Sequence, residues 1–215
     1  MQKIQEHFKV SDPVMVGMMR THSVKPRKRS TKDRFEYLAL TILYQQLSTK
    51  VADVIAARFL ALFQPLPNPP LSRGGGTAAP RAFPTPQDIL KTPDEKLRSV
   101  GVSGPKVKYI KDLAEKVASK QVRLEILHEL SDEEVITELT QVKGIGRWTA
   151  EMFLMSALER PDIFSFGDLG LQTAIKRAYG FKQLPAKRTM ERLSKKWSPY
   201  RTHAARVLWA SLDNE

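Results

Sequence analysis

The chain contains no cysteine. That absence removes disulfides, thiolate zinc sites, iron–sulfur clusters and a cysteine nucleophile from consideration. Histidine is scarce too: His7, His22, His128 and His203 stand far apart, and no pair has the i,i+4 spacing of a helical metal site. Neither a P-loop nor a dinucleotide fingerprint occurs, which argues against a nucleotide cofactor. No apolar run approaches the roughly 18 residues a spanning helix requires. Met1-Gln2-Lys3-Ile4-Gln5-Glu6 has no signal-peptide core, so a soluble, intracellular protein with no membrane partner is expected. Acidic residues are the minority charge, 23 Asp and Glu against 35 Lys and Arg, leaving a formal net charge of +12. A surface of that sign attracts polyanions, with nucleic acid ahead of anionic membrane.

Strand alternation is nearly missing as well, and what replaces it is helical. Apolar residues make up 41% of the 215 positions, enough for a sizeable core. Asp12-Pro13 predicts a capped helix to Arg20. Lys25–Lys32 is a charge run without periodicity and reads as a basic loop, a candidate DNA contact or localisation signal. Leu38, Ile42, Leu43, Leu47, Val51, Val54 and Ile55 give Phe35–Phe63 a period near that of a helix, with a break expected near Gln46–Ser48. Residues 65–84, with Pro69-Pro70 and Gly74-Gly75-Gly76, read as a flexible loop inserted in a domain, since helices resume at once. Helices are predicted from Thr85-Pro86, over Lys106–Ala118, from the capping box Ser131-Asp132-Glu133-Glu134 to Leu139, and within Val142–Leu158. Others follow over Leu169–Tyr179, Thr189–Lys196 and Pro199–Leu212. The expectation is an all-α fold of about ten helices without an internal repeat.

The most informative stretch is Glu138-Leu139-Thr140-Gln141-Val142-Lys143-Gly144-Ile145-Gly146-Arg147-Trp148-Thr149-Ala150. One helical pattern ends, a Gly-x-Gly turn follows, and another begins. Glycines admit φ > 0 and let the backbone approach another surface closely. The second helix then offers amides and a positive dipole end to a phosphate, with Arg147 adding charge. Such an element docks on DNA backbone without reading sequence. A tight interhelical turn needs the same glycines, and the net charge favours DNA.

This segment, followed by Phe164-Ser165-Phe166-Gly167-Asp168-Leu169-Gly170-Leu171, resembles the helix–hairpin–helix (HhH-GPD) base-excision glycosylases. The nearest branch is 3-methyladenine DNA glycosylase II with the short yeast-type alkylbase DNA glycosidases. Ile42-Leu43-Tyr44-Gln45-Gln46-Leu47-Ser48 and Gly101-Val102-Ser103-Gly104-Pro105-Lys106 match as well, so the resemblance spans about residues 10–212. It implies two helical lobes with a cleft between them, in one glycosylase unit over residues 1–215, acting as a monomer on duplex DNA that contains damaged bases. The loop at 65–84 and the lack of an N-terminal β-domain depart from some members.

Taken alone, Asp168 is a helix N-cap before Leu169. The resemblance makes it the catalytic carboxylate, facing the sugar of a flipped nucleotide. Trp148 replaces the Schiff-base lysine of lyase-active members, which implies hydrolysis alone. Trp148, Trp209 and Ser48 are the implied substrate-binding residues, with cation–π stacking of a positively charged base. Gln46 and Leu47 are implied to fill the gap left by that base. Lys143, Gly144, Ile145, Gly146, Arg147 and Thr149 are implied to contact DNA. The carbonyls of Thr140, Val142 and Ile145 match positions that hold a structural Na⁺ or K⁺, and no cofactor is implied for catalysis. Two alternatives stay open: a DNA-binding module with little or no chemistry, and a glycosylase for another base such as uracil or hypoxanthine.

Overall fold

A computed structural model describes residues 2–22, 24, 33–63 and 83–212 of the chain. The basic run at 25–32 and nearly all of the loop at 65–84 lie outside the described residues. Among the described residues there are twelve α-helices, one short 3-10 turn and no strand. The helices are α1 (Gln2–Ser11), α2 (Pro13–Thr21), α3 (Arg34–Tyr44), α4 (Thr49–Ala61), α5 (Pro86–Lys91) and α6 (Asp94–Ser99). They continue as α7 (Gly104–Ala118), α8 (Asp132–Thr140), α9 (Arg147–Ser156), α10 (Leu169–Ala178), α11 (Lys187–Lys195) and α12 (Arg201–Ala210). The all-α expectation stands. Two helices were not expected from the sequence, α1 and α6. Helix α1 buries only Phe8 and α6 only Leu97, so neither carries a legible apolar period.

The start signals work as their chemistry predicts. The Asp12 carboxylate accepts the amides of Val14 and Met15, with Pro13 opening α2. Thr85 and Ser131 form reciprocal capping boxes with Asp88 and Glu134. The break between α3 and α4 falls at residues 45–48, where Gln46 takes a left-handed φ of 58°.

The contacts divide the chain into two compact units, Met1–Lys32 with Arg147–Glu215, and Asp33–Gly146. In the first, α12 packs on α2 and α10. Its core includes Phe8, Met15, Phe153 and the fully buried Trp197. Apolar burial of such side chains contributes about 1.5–3 kcal/mol each. A buried carboxylate sits in that core: Asp12 Oδ2 accepts the Tyr179 hydroxyl at 2.7 Å and Trp197 Nε1–H at 2.9 Å. Burial and the bond to Asp12 push the Tyr179 hydroxyl pKa well up. In the second unit α7 is central, packing on α3, α5 and α6 around Leu38, Ile42, Ile89 and Ile110.

Candidate functional site

In the first unit the structure gathers three distant residues. Asp168 is the N-cap of α10, and its Oδ1 accepts the Leu171 amide at 2.7 Å. The same oxygen accepts Trp209 Nε1–H at 3.1 Å, and Oδ2 accepts Trp148 Nε1–H at 2.7 Å. The carboxylate is 8% exposed, whereas Trp148 is 47% exposed. Asp168 is therefore nearly shut off from water yet lies beside a half-open aromatic surface. Exposed Leu169 follows it in the chain.

The frame around Asp168 comes from α12 and the segment that follows α9. Asp162 holds Arg201 by a two-pronged ion pair, Nε at 2.8 Å and Nη2 at 3.0 Å. Burial alone would raise the Asp162 pKa, but the bonds from Arg201 and Ser198 outweigh it and hold the carboxyl below its ordinary value. Thr202 Oγ1 donates to the Arg160 carbonyl at 2.6 Å and accepts the Ile163 amide at 3.0 Å. Arg206 Nη2 donates to the Met155 carbonyl at the end of α9. Trp209 lies two turns beyond Thr202 on the same helix, so α12 fixes both the approach to Asp168 and one of its donors. Gly170 completes the fit: a Cβ there would lie 3.0 Å from Asp168 Oδ1 and 3.4 Å from the Trp209 indole.

At the start of α9, Arg147 Nε pairs with Glu151 Oε1 at 3.0 Å. Glu151 is buried, and its other oxygen accepts the fully buried Ser165 hydroxyl at 2.5 Å. Arg147 itself stays largely exposed. Glu151, Ser165 and Gly170 were not singled out in the sequence, because an acid one turn into an otherwise apolar helix gives no hint of a partner fourteen residues on.

The second unit holds two exposed turns. In the first, Gln46 and Leu47 are both exposed, and Ser48 is an exposed N-cap of α4 whose side chain makes no capping bond. In the second, residues 141–146 follow α8. Gly144 has φ +82°, and a Cβ there would fall 2.3 Å from the Tyr109 ring. Gly146 has nothing within 4 Å of its Cβ position. The two glycines, expected to act alike, are thus different: Gly144 is required by packing and backbone, and Gly146 is open. Lys143 extends into solvent, with its ammonium 3.5 Å from Asp112.

Two of the expected contact residues are buried. Thr149 is only 4% exposed, so its hydroxyl is not presented to a phosphate. Ile145 is also 4% exposed, and its amide already donates to the Val142 carbonyl at 3.1 Å. Both fall on the inward side of their elements, alongside Ala150 and Val142.

This combination defines a class. The family model described as HhH-GPD superfamily base excision DNA repair protein matches residues 39–199, and the chain belongs to that superfamily. The chain is 34% identical to DNA-3-methyladenine glycosylase 1 of Schizosaccharomyces pombe, over 85% of this chain and 74% of that protein. It is 33% identical to Bacillus subtilis YfjP over 80% of this chain, but that match spans only 56% of YfjP. Among solved structures, it is similar to the S. pombe 3-methyladenine DNA glycosylase Mag1 in complex with abasic DNA. That match has a TM-score of 0.78 at 30% identity and covers 98% of this chain and 97% of the other. A DNA-3-methyladenine glycosidase of Bacillus halodurans matches with the same TM-score and identity over 97% and 88%.

Proposed function

We propose that this chain is a monofunctional DNA glycosylase that hydrolyses the N-glycosidic bond of alkylated purines in duplex DNA, the first step of base excision repair. The substrates are bases of the 3-methyladenine and 7-methylguanine type. The observation that carries the reading is the Asp168 carboxylate, nearly buried and fixed by three N–H donors. A preorganised anion in a water-poor setting stabilises positive charge that develops beside it. As the glycosidic bond of a flipped nucleotide breaks, that charge appears on the deoxyribose, and the carboxylate also orients the attacking water. An alkylated purine is already cationic and leaves without an added proton, so one carboxylate suffices.

Trp148 serves twice in this reading. Its N–H edge is held by Asp168, and its half-exposed ring is available to stack on an electron-poor base, a gain of roughly 0.5–2 kcal/mol. It offers no amine, so no Schiff base forms and the product is an abasic site. The base must first leave the stack at a cost of a few kcal/mol, with Gln46 and Leu47 entering the gap. The hairpin around Gly146 and Arg147 docks on a phosphate. Its carbonyls at Thr140, Val142 and Ile145 are hard oxygen donors suited to a structural Na⁺ or K⁺. Each carbonyl has two lone pairs, so Val142 can serve Ile145 and an ion together.

The test is single-turnover release of a methylated purine from duplex DNA by wild type and Asp168→Asn. The expected loss is about a thousandfold, with duplex binding retained and no adduct trapped by borohydride. Release within about threefold of wild type by folded Asp168→Asn would remove the carboxylate from the reaction.

A further inference from the structure

One face of α7 touches both exposed turns of the second unit. Lys106, Tyr109 and Asp112 are spaced three apart on that helix and so share a face. The Lys106 ammonium donates to the Leu43 carbonyl at 2.8 Å and to the Gln45 carbonyl at 2.7 Å, where α3 ends. A cation there suits the negative end of the helix and supplies donors to carbonyls that α3 cannot satisfy itself. The Tyr109 ring backs Gly144, and Asp112 Oδ2 accepts the Lys143 amide at 2.8 Å. The two turns are also joined directly, Gln45 Nε2 donating to the Gly144 carbonyl at 2.8 Å. The Tyr44 hydroxyl bonds to Asp53 on α4, bracing the turn from its other side. Gln46 and Leu47 are exposed at the first of these turns, and Gln46 holds a left-handed backbone that a non-glycine residue adopts at a cost.

From this arrangement we infer that Lys106 and Gln45 are positioning residues for base flipping. They lock the 45–48 turn in register with the 141–146 hairpin, so that Gln46 and Leu47 enter the duplex at a set distance from the docked phosphate. The inference rests on the glycosylase reading above. Its physical basis is preorganisation: the turn is ordered once, on folding, and not again at each flipping event. A displacement of about 1 Å at such an element costs up to a hundredfold in rate. Lys106 keeps its charge in a partly buried place, and burial draws its pKa below the ordinary lysine value. The ammonium placed there serves the backbone of the turn, donating to the Leu43 and Gln45 carbonyls.

The experiment uses the full chain and two oligonucleotide substrates. One carries 7-methylguanine opposite cytosine; the other carries the same lesion opposite an abasic analogue, where unpairing costs less. Single-turnover release is measured for wild type, Lys106→Met, Gln45→Ala and the double variant Gln46→Ala/Leu47→Ala, with melting followed in parallel. Lys106→Met is expected to lose roughly tenfold on the paired lesion and under about twofold on the unpaired one. Lys106→Arg, which keeps charge and donors, should recover part of the loss. Gln45→Ala cuts only the tie to Gly144 and should lose about threefold on the paired lesion alone; it decides the matter if Lys106→Met does not fold. Equal losses on both substrates, or none, overturn the inference. A paired-lesion loss in the double variant without one in Lys106→Met overturns the inference and leaves the wedge standing. No paired-lesion loss in the double variant removes the wedge and the inference together, while Asp168→Asn still tests the glycosylase reading separately.

Discussion

Helices α7 and α12 do corresponding work in the two units by opposite means. On α12, Thr202 and Arg206 hold the segment leading to Asp168, and Trp209 bonds the carboxylate itself. The thing fixed is a side chain. On α7, Lys106, Tyr109 and Asp112 hold the backbone of two turns, from the first of which the Gln46 and Leu47 side chains are exposed. Under the proposed function the difference follows from the task. Electrostatic catalysis needs one charge held to within a fraction of an ångström, whereas docking on a phosphate chain needs amides and a turn of fixed shape. Damage near α12 should therefore appear in the rate, and damage near α7 in binding and flipping.

The largest expected effect lies at the α12 end. Asp168→Asn should lower release about a thousandfold while duplex affinity per folded molecule stays within about threefold. The Asn amide also turns an N–H₂ toward one indole N–H, so a modest fall in melting temperature is expected. Equal losses of rate and affinity would erase the contrast between the helices.

Next come the glycines near α7. Gly144→Ala places a methyl 2.3 Å from the Tyr109 ring at φ +82°, so both sterics and backbone oppose it. A loss of about 2–4 kcal/mol is expected in thermal or urea unfolding. Gly146→Ala meets nothing within 4 Å and should leave melting within a few degrees. It should nonetheless weaken duplex binding and flatten its dependence on salt, since each phosphate neutralised contributes about −0.9 to the log–log slope. Unchanged affinity in Gly146→Ala would show that the hairpin is not the docking element.

Smaller again is Trp209→Phe, which keeps an aromatic ring but removes the N–H donated to Asp168 Oδ1. One neutral donor to a carboxylate is worth about 1.5–3 kcal/mol when fully buried. With two other donors remaining, a loss of about tenfold in release at unchanged affinity is expected. A change in affinity alone would mean that Trp209 binds the base without ordering the carboxylate.

Much of this was legible in the sequence where the signal is local. Asp12-Pro13, Thr85 with Asp88, and Ser131 with Glu134 declare helix starts within four residues. The glycine pair declares a hairpin. Asp168 shows the limit of local reading: an N-cap and the proposed catalytic carboxylate have the same sequence signature, and the structure shows the cap. What separates it from an ordinary cap is two indoles, one 20 residues before it and one 41 after. Such pairings leave no periodic trace. Lys106 is the same case, since its acceptors lie 61 and 63 residues away. Thr149 and Ile145 show another limit: both are buried, and a motif names positions but does not say which side chains turn inward.

The smallest effect expected is on α12 and concerns pH. His203 is half-buried, with its ring 6.4 Å from that of Phe8. Burial first, and the charge of Arg206 second, push its pKa below the ordinary histidine value. The folded chain therefore binds this proton less readily than the unfolded chain, whose histidine titrates near about 6.5. The stability that comes from a neutral His203 is present in full above that pH, and is lost as pH falls through the lower folded value. Lys106 on α7 is also pushed down by burial, from the ordinary lysine value. Acidification should thus weaken the unit containing α12 through His203. The measurement is the melting temperature of wild type and His203→Gln from about pH 7.5 down to 5. The wild type should lose more melting temperature than the variant as the pH falls, because only the wild type has the depressed histidine to protonate. Curves that run parallel would show that His203 does not sense the proton, and would leave the acid sensitivity of this basic chain to general charge repulsion.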